Sequence, residues 1–209
     1  SYRPGSRFGP ARIREVSIGL EEYSLYLDRE LGDVKFFDAG DIPLPFGNPE
    51  KSLAEIKKFV RKVLADDKIP VGLGGEHLVS LPVMEAVYEK FPDLAVIHFD
   101  AHTDLRTDYE GEEYSHALKT KLPELAGRPV YVTIDIDVLD PAHAPGTGTV
   151  DAGGITSKEL LASIHAIAAS NVNVVGFDLV EVAPVYDHSE KTVNAAAKFI
   201  REMILGWVR

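Results

Sequence analysis

Short apolar runs alternating with helix-like segments predict an α/β domain whose mostly parallel sheet is covered on both faces. Three observations carry this. The strand-like runs are β-branched or aromatic and nearly continuous, as in strands buried on both sides. The segments between them keep apolar residues at helical spacing. No repeat, linker or low-complexity stretch interrupts the 209 residues, so a single domain over residues 1–209 is expected.

In chain order, the Pro/Gly/Arg-rich opening SYRPGSRFGPARIR reads as a loop. Val34–Phe37 predicts a first strand. Lys51–Leu64 predicts a helix, since Leu53, Ile56, Phe59, Val60, Val63 and Leu64 share one face. Ile69–Leu73 and Ala95–Phe99 predict strands, Leu118–Leu125 a short helix, and Val130–Ile134 a strand. Ser157–Ala169 predicts a helix opened by Thr156 or Ser157 with Glu159 in a capping pattern. Val174–Phe177 predicts the next strand and Lys191–Leu205 the closing helix. The interval from Asp104 to Val130 is thin for a full strand–helix–strand unit.

Composition narrows the function. Apolar residues make up 45% and charged residues 26%, which excludes a disordered or fibrous chain. No apolar run approaches the roughly 20 residues that cross a bilayer, and the opening lacks a signal peptide's apolar core. A net charge of −11 disfavours nucleic acid and anionic membrane and suits a cationic small substrate. With no cysteine there is no disulfide framework or thiol chemistry, which fits a cytoplasmic enzyme.

Polar residues gather where the strand runs end. Gly74-Gly75-Glu76-His77 follows Leu73, Asp100-Ala101-His102-Thr103-Asp104 follows Phe99, Asp135-Ile136-Asp137 closes Ile134, and Asp178 through Glu181 closes Phe177. Ligands of open α/β sheets bind at the carboxyl ends of the strands. Asp100, His102 and Asp104 alternate, as do Asp135 and Asp137, so extended backbone points each set to one side. Four unpaired, half-buried carboxylates would repel and take up protons; two divalent cations would cancel them. This donor set suits Mn²⁺, Mg²⁺ or Fe²⁺, and a pair about 3.5–4 Å apart shares and acidifies a bridging water. Taken alone, each motif has a bland reading: an Asp capping the next helix, or a loop histidine. The weight lies in their coincidence at the strand ends.

The other histidines read differently. His98, inside a strand, is expected to be a core or supporting residue; His165 and His188 default to the surface. His143 belongs to a solvated loop, and His116 is either an exposed loop histidine or a mobile proton carrier.

At these residues the sequence resembles the ureohydrolase family, which includes arginases and agmatinases. The matching pieces are GGEH (74–77), DAHTD (100–104), TIDIDVLDPAHAPGTGT (133–149), GFDLVEVAPVYD (176–187) and the opening RPGSRFGPARIR. The resemblance implies a three-layer αβα sandwich in homotrimers or homohexamers, with two Mn²⁺ per subunit. It implies that His77, Asp100, Asp104 and Asp135 hold one ion and Asp100, His102, Asp135 and Asp137 the other. His116 matches the proton-shuttling histidine, Glu181 the guanidinium-binding glutamate, and Thr149 the threonine beside it. The implied reaction is hydrolysis of a guanidinium compound to urea and an amine. Glu181 and Thr149 hold the substrate, Asp104 orients the attacking hydroxide, and His116 delivers a proton to the leaving amine.

Two departures follow from the resemblance. It implies a first strand before RPGSRFGP and a few dozen residues between Ala117 and Val130, so both are expected to be missing from the chain as given. Glu76 also stands where Asp is common. For the substrate, the acidic stretch Leu105–His116 lacks the Asn/Ser pattern with which arginases grip an α-amino acid, and it favours agmatine. Arg106 would receive a carboxylate if the substrate were guanidinobutyrate. A haloacid dehalogenase-type phosphatase with Asp135 as nucleophile leaves His77 and the Asp100–Asp104 cluster unexplained, and a single-zinc deacetylase needs fewer acids. An inactive binding or regulatory subunit is the non-enzymatic alternative, yet all six candidate ligands are present.

Overall fold

A computed structural model describes residues 3–102 and 121–208 of the chain. Its centre is a four-stranded parallel sheet of β3 (Val71–Leu73), β4 (Ala95–Phe99), β5 (Pro129–Asp135) and β6 (Asn173–Val180), in spatial order β3-β6-β5-β4. A separate antiparallel hairpin pairs β1 (Tyr23–Ser24) with β2 (Arg29–Glu30). Among the described residues the helices are α1 (Gly9–Ser17), α2 (Pro49–Ala65), α3 (Ser80–Lys90), α4 (Ser157–Ala168) and α5 (Lys191–Trp207). Because the four strands run the same way, all their carboxyl ends meet at one edge of the sheet.

Strand alternation divides the core in two. Val130, Val132 and Ile134 of β5 and Phe177 and Leu179 of β6 face Leu160, Ile164, Phe199 and Met203 of α4 and α5, with Ile13 of α1 in the same cluster. Tyr131 and Val175 face the other way, onto Ile56, Val60, Leu64, Val83, Ala86 and Val87 of α2 and α3. The expected αβα layering with a parallel sheet is therefore present.

Element ends match their local chemistry. Helix α2 starts at Asn48, whose side chain accepts the Lys51 N–H, with Pro49 in the first helical turn. Thr156 and Glu159 form a reciprocal capping box on α4. Helix α5 opens after Glu190 in a left-handed conformation, and its first turn is capped by Asp187, which accepts the Thr192 N–H at 2.7 Å and the Thr192 hydroxyl at 2.8 Å.

Three expectations are corrected. Val34–Phe37 is not a strand: Phe36 and Phe37 stand 53% and 88% exposed, so the run's apolar character does not report a buried strand. The opening read as a loop contains α1, because Gly9 and Pro10 occupy its first turn, where a missing N–H costs nothing. Helix α3 was not foreseen, although Val83, Ala86 and Val87 give it a buried face. Of the expected helix over Leu118–Leu125, residues 118–120 lie outside the described residues, and Leu122–Leu125 forms a single 3-10 turn. No helix among the described residues is long and apolar enough to cross a membrane.

Candidate metal centre

Each strand end delivers its motif by a different local device. After β3, the close approach of residue 74 to β6 requires glycine: a Cβ there would lie 2.5 Å from Val180 Cγ1. The chain then enters the 3-10 turn His77–Val79. After β4, Asp100 Oδ1 accepts the His102 N–H at 2.6 Å. After β5, Asp135 Oδ1 accepts the Asp137 N–H at 2.9 Å and starts the 3-10 turn Ile136–Val138. The acids therefore converge through two-residue side-chain turns rather than through the extended alternation expected, and the capping reading of Asp135 is true at the same time as its place in the cluster.

Five of the expected ligands come together. His77 Nδ1 lies 3.1 Å from Asp100 Oδ2 and 3.2 Å from Asp135 Oδ2. His102 Nδ1 lies 3.0 Å from Asp137 Oδ2 and 3.4 Å from Asp100 Oδ1. The Ala101 N–H reaches Asp137 Oδ1 at 3.2 Å. Asp135 and Asp137 are 3% and 2% exposed. Among the described residues, the ion pairs these three carboxylates make are with histidines alone. Asp104 and His116 lie outside the described residues.

The electrostatics are those of a site short of positive charge. Burial, then the neighbouring Asp135 and Asp100, pushes Asp137 well above the ordinary carboxylate range. Burial acts against the charge of His77, but hydrogen bonds with Asp100 and Asp135 outweigh it and raise the imidazole to about 10. Burial likewise pushes Asp100 up, and His77, His98 and the His102 N–H hold it below its usual value. Converging imidazole and carboxylate donors in this state fit divalent cations, which replace protons as the source of positive charge.

Glu181, at the end of β6, is strained and doubly tied. Its φ of 62° is in the left-handed region that costs a branched or long side chain about 1 kcal/mol or more. Its N–H donates to the Gly75 carbonyl at 2.8 Å, and its Oε1 accepts the His77 N–H at 2.8 Å. Burial raises its carboxyl, and the His77 N–H pulls it back. The loop carrying Thr149 runs alongside: Thr147 bridges to Val182, and Ala183 N–H donates to the Gly146 carbonyl at 2.7 Å. Thr149 is half-buried.

Two histidines refine the expectation. Of the two places expected for His98, core or supporting, the core is excluded because it is exposed, and the supporting one fits: its Nε2 lies 3.0 Å from Asp100 Oδ2, and it could also join His77 and Asp100 around an ion. The signal was present, since residues 98 and 100 alternate along one strand face. His165 is not a free surface residue, because its Nε2 lies 2.7 Å from the buried Glu202 carboxylate. His188 is exposed as expected, and His143 Nδ1 sits 3.2 Å from Ser157 Oγ.

Asp178, grouped with the rim residues by sequence, instead lies inside β6 at 1% exposure. It accepts hydroxyls from Tyr131 at 2.5 Å and Thr133 at 2.7 Å. Burial pushes its carboxyl up, against the pull of the Tyr131, Thr133 and Ser80 hydroxyls.

Residues 1–123 and 118–206 match the arginase family. An agmatinase from Bacillus subtilis is 62% identical over 255 aligned residues, covering 100% of this chain and 88% of that protein. An agmatinase from Halalkalibacterium halodurans is 56% identical, with the same coverage of 100% and 88%. The crystal structure of agmatine ureohydrolase of Thermoplasma volcanium matches with a TM-score of 0.83 at 26% identity, covering 99% of this chain and 85% of that one.

Proposed function

The chain belongs to the arginase family, and from that premise we propose that it is a metal-dependent amidinohydrolase that converts agmatine and water to putrescine and urea. The observation that carries the reading is the convergence of His77, Asp100, His102, Asp135 and Asp137 at the strand ends, beside a strained Glu181. The agmatinases at 62% and 56% identity support agmatine over other guanidines.

We assign His77, Asp100, Asp104 and Asp135 to one ion and Asp100, His102, Asp135 and Asp137 to the other, with Mn²⁺ in both. When bound, the pair supplies a water acidic enough to attack at neutral pH. The remaining work falls to the chain. Glu181 accepts the planar N–H edge of the guanidinium, with Thr149 beside it; because Oε1 is pinned by the His77 N–H, the carboxylate presents a fixed face. Asp104 orients the attacking water. As the C–N bond to the alkyl amine breaks, His116 gives that nitrogen a proton and the carbon leaves as urea.

We read residues 1–209 as one domain that lacks a central segment of the family. The family match divides into two pieces meeting at 118–123, and 255 aligned positions face a chain of 209 residues. A cytoplasmic homotrimer or homohexamer in polyamine synthesis is the setting we propose, supported by the acidic, cysteine-free composition and the agmatinase likeness.

The test is urea release by metal-stripped, Mn²⁺-reloaded protein offered agmatine, arginine and guanidinobutyrate in parallel. Urea from agmatine, lost in Asp135→Ala, is expected. Urea from another compound alone overturns the substrate, and none from any of them with two ions bound returns the chain to a binding role.

A further inference from the structure

We infer that Asp178, acting through Thr133, is a positioning residue that decides which nitrogen of His77 is free to hold a metal ion. The inference rests on the metal centre proposed above.

The three side chains form a line beneath the site. Asp178 and Thr133 are cross-strand partners on β6 and β5, both pointing to the α2/α3 face. Thr133 is 2% exposed, Ser80 1% and Tyr131 0%, so no bulk water competes for their hydroxyls. Room for the carboxylate comes from β3, where Gly72 stands opposite Asp178 and a Cβ would fall 2.8 Å from Asp178 Cβ.

A threonine hydroxyl has one hydrogen. With Asp178 Oδ1 at 2.7 Å, that hydrogen goes to the carboxylate, the strongest acceptor in reach. Thr133 Oγ1 then faces His77 Nε2 at 3.0 Å with lone pairs only, so Nε2 must carry its hydrogen. A neutral imidazole protonated at Nε2 has its free pair on Nδ1, the atom 3.1 and 3.2 Å from the Asp100 and Asp135 oxygens. Without the carboxylate the hydroxyl can turn and donate to Nε2, which stabilises the opposite tautomer and places a hydrogen where the ion should sit. Tyr131, which donates to the other oxygen of Asp178 at 2.5 Å, has no part in this transfer of direction.

The test compares Mn²⁺ affinity of metal-stripped wild type, D178L, T133V, T133S and Y131F, read from the electron-spin resonance signal of free Mn²⁺, with circular dichroism and thermal melts to confirm folding. The leucine leaves the Thr133 hydroxyl no acceptor at residue 178, whereas an asparagine oxygen would still take its hydrogen. About tenfold to hundredfold weaker binding at one of two sites is expected in D178L and T133V. T133S restores it, and Y131F binds as wild type whatever its melting temperature. T133V keeps the test decisive if D178L fails to fold, because it removes only the hydroxyl at nearly constant volume. Wild-type affinity in folded D178L or T133V overturns the inference while leaving the metal centre standing. Equal weakening in Y131F overturns it too, showing that the network acts through packing. Wild-type protein that binds no Mn²⁺ overturns the metal centre and the inference with it.

Discussion

At the scale of single residues, the site is built from groups that serve two ends at once. Asp135 caps a turn and lines the acidic cluster; Glu181 pins the loop of His77 and, in the proposed reaction, receives the guanidinium. Glu181→Gln separates these roles, since an amide oxygen still accepts the His77 N–H while the charge opposite a guanidinium is lost. We expect a fall in kcat/KM for agmatine of about 2–3 kcal/mol, roughly 30- to 150-fold, with the melting temperature little changed. Steady-state kinetics beside a thermal melt checks both. The motif residues were legible because acids and histidines at strand ends have few structural reasons to cluster. Thr133 and Asp178 were not, since their importance lies in a hydroxyl 3.0 Å from His77 across two strands, and sequence spacing carries no trace of that contact.

Among the elements, those with strong local signals were legible within a few residues. The expected strand at Ala95–Phe99 is observed with the same bounds, and the closing helix extends two residues beyond the expected Leu205. The failures share a cause: exposed apolar residues at Val34–Phe37 imitate a strand, whereas α1 opens with Gly and Pro that imitate a loop. The start of α5 depends on Asp187, whose carboxylate takes the Ser189 and Thr192 N–H groups at 2.9 and 2.7 Å while Thr192 Oγ1 accepts from Gly146. Asp187→Ala should destabilise the protein by about 1–2 kcal/mol at pH 7. Burial pushes Asp187 up, but these hydrogen bonds hold its folded value below the ordinary one. Its contribution is therefore complete above the unfolded value of about 3.9 and is lost as pH falls through the folded value. Denaturant melts across pH should show the gap between wild type and variant narrowing in acid; a gap that stays constant as the pH falls from neutral through and below the unfolded carboxylate range would contradict this account.

For the molecule as a whole, three carboxylates gathered at one sheet edge burden the metal-free protein with charge that burial disfavours. Ions that bind only the folded chain should stabilise it by about 2.7 kcal/mol per site at a hundredfold excess over Kd. The melting temperature is expected to rise with Mn²⁺ and fall back with chelator in wild type, and Asp137→Ala should flatten that dependence. What the sequence alone determined is the α/β class, the parallel run of the strands and the identity of the acidic and histidine motifs, because periodicity and composition are local and survive without neighbours. Only the tertiary structure decided that β6 lies between β3 and β5, which puts Asp178 beneath His77 rather than at the rim. Strand order and side-chain direction are set by burial against distant segments, and that competition is absent from any stretch of chain read by itself.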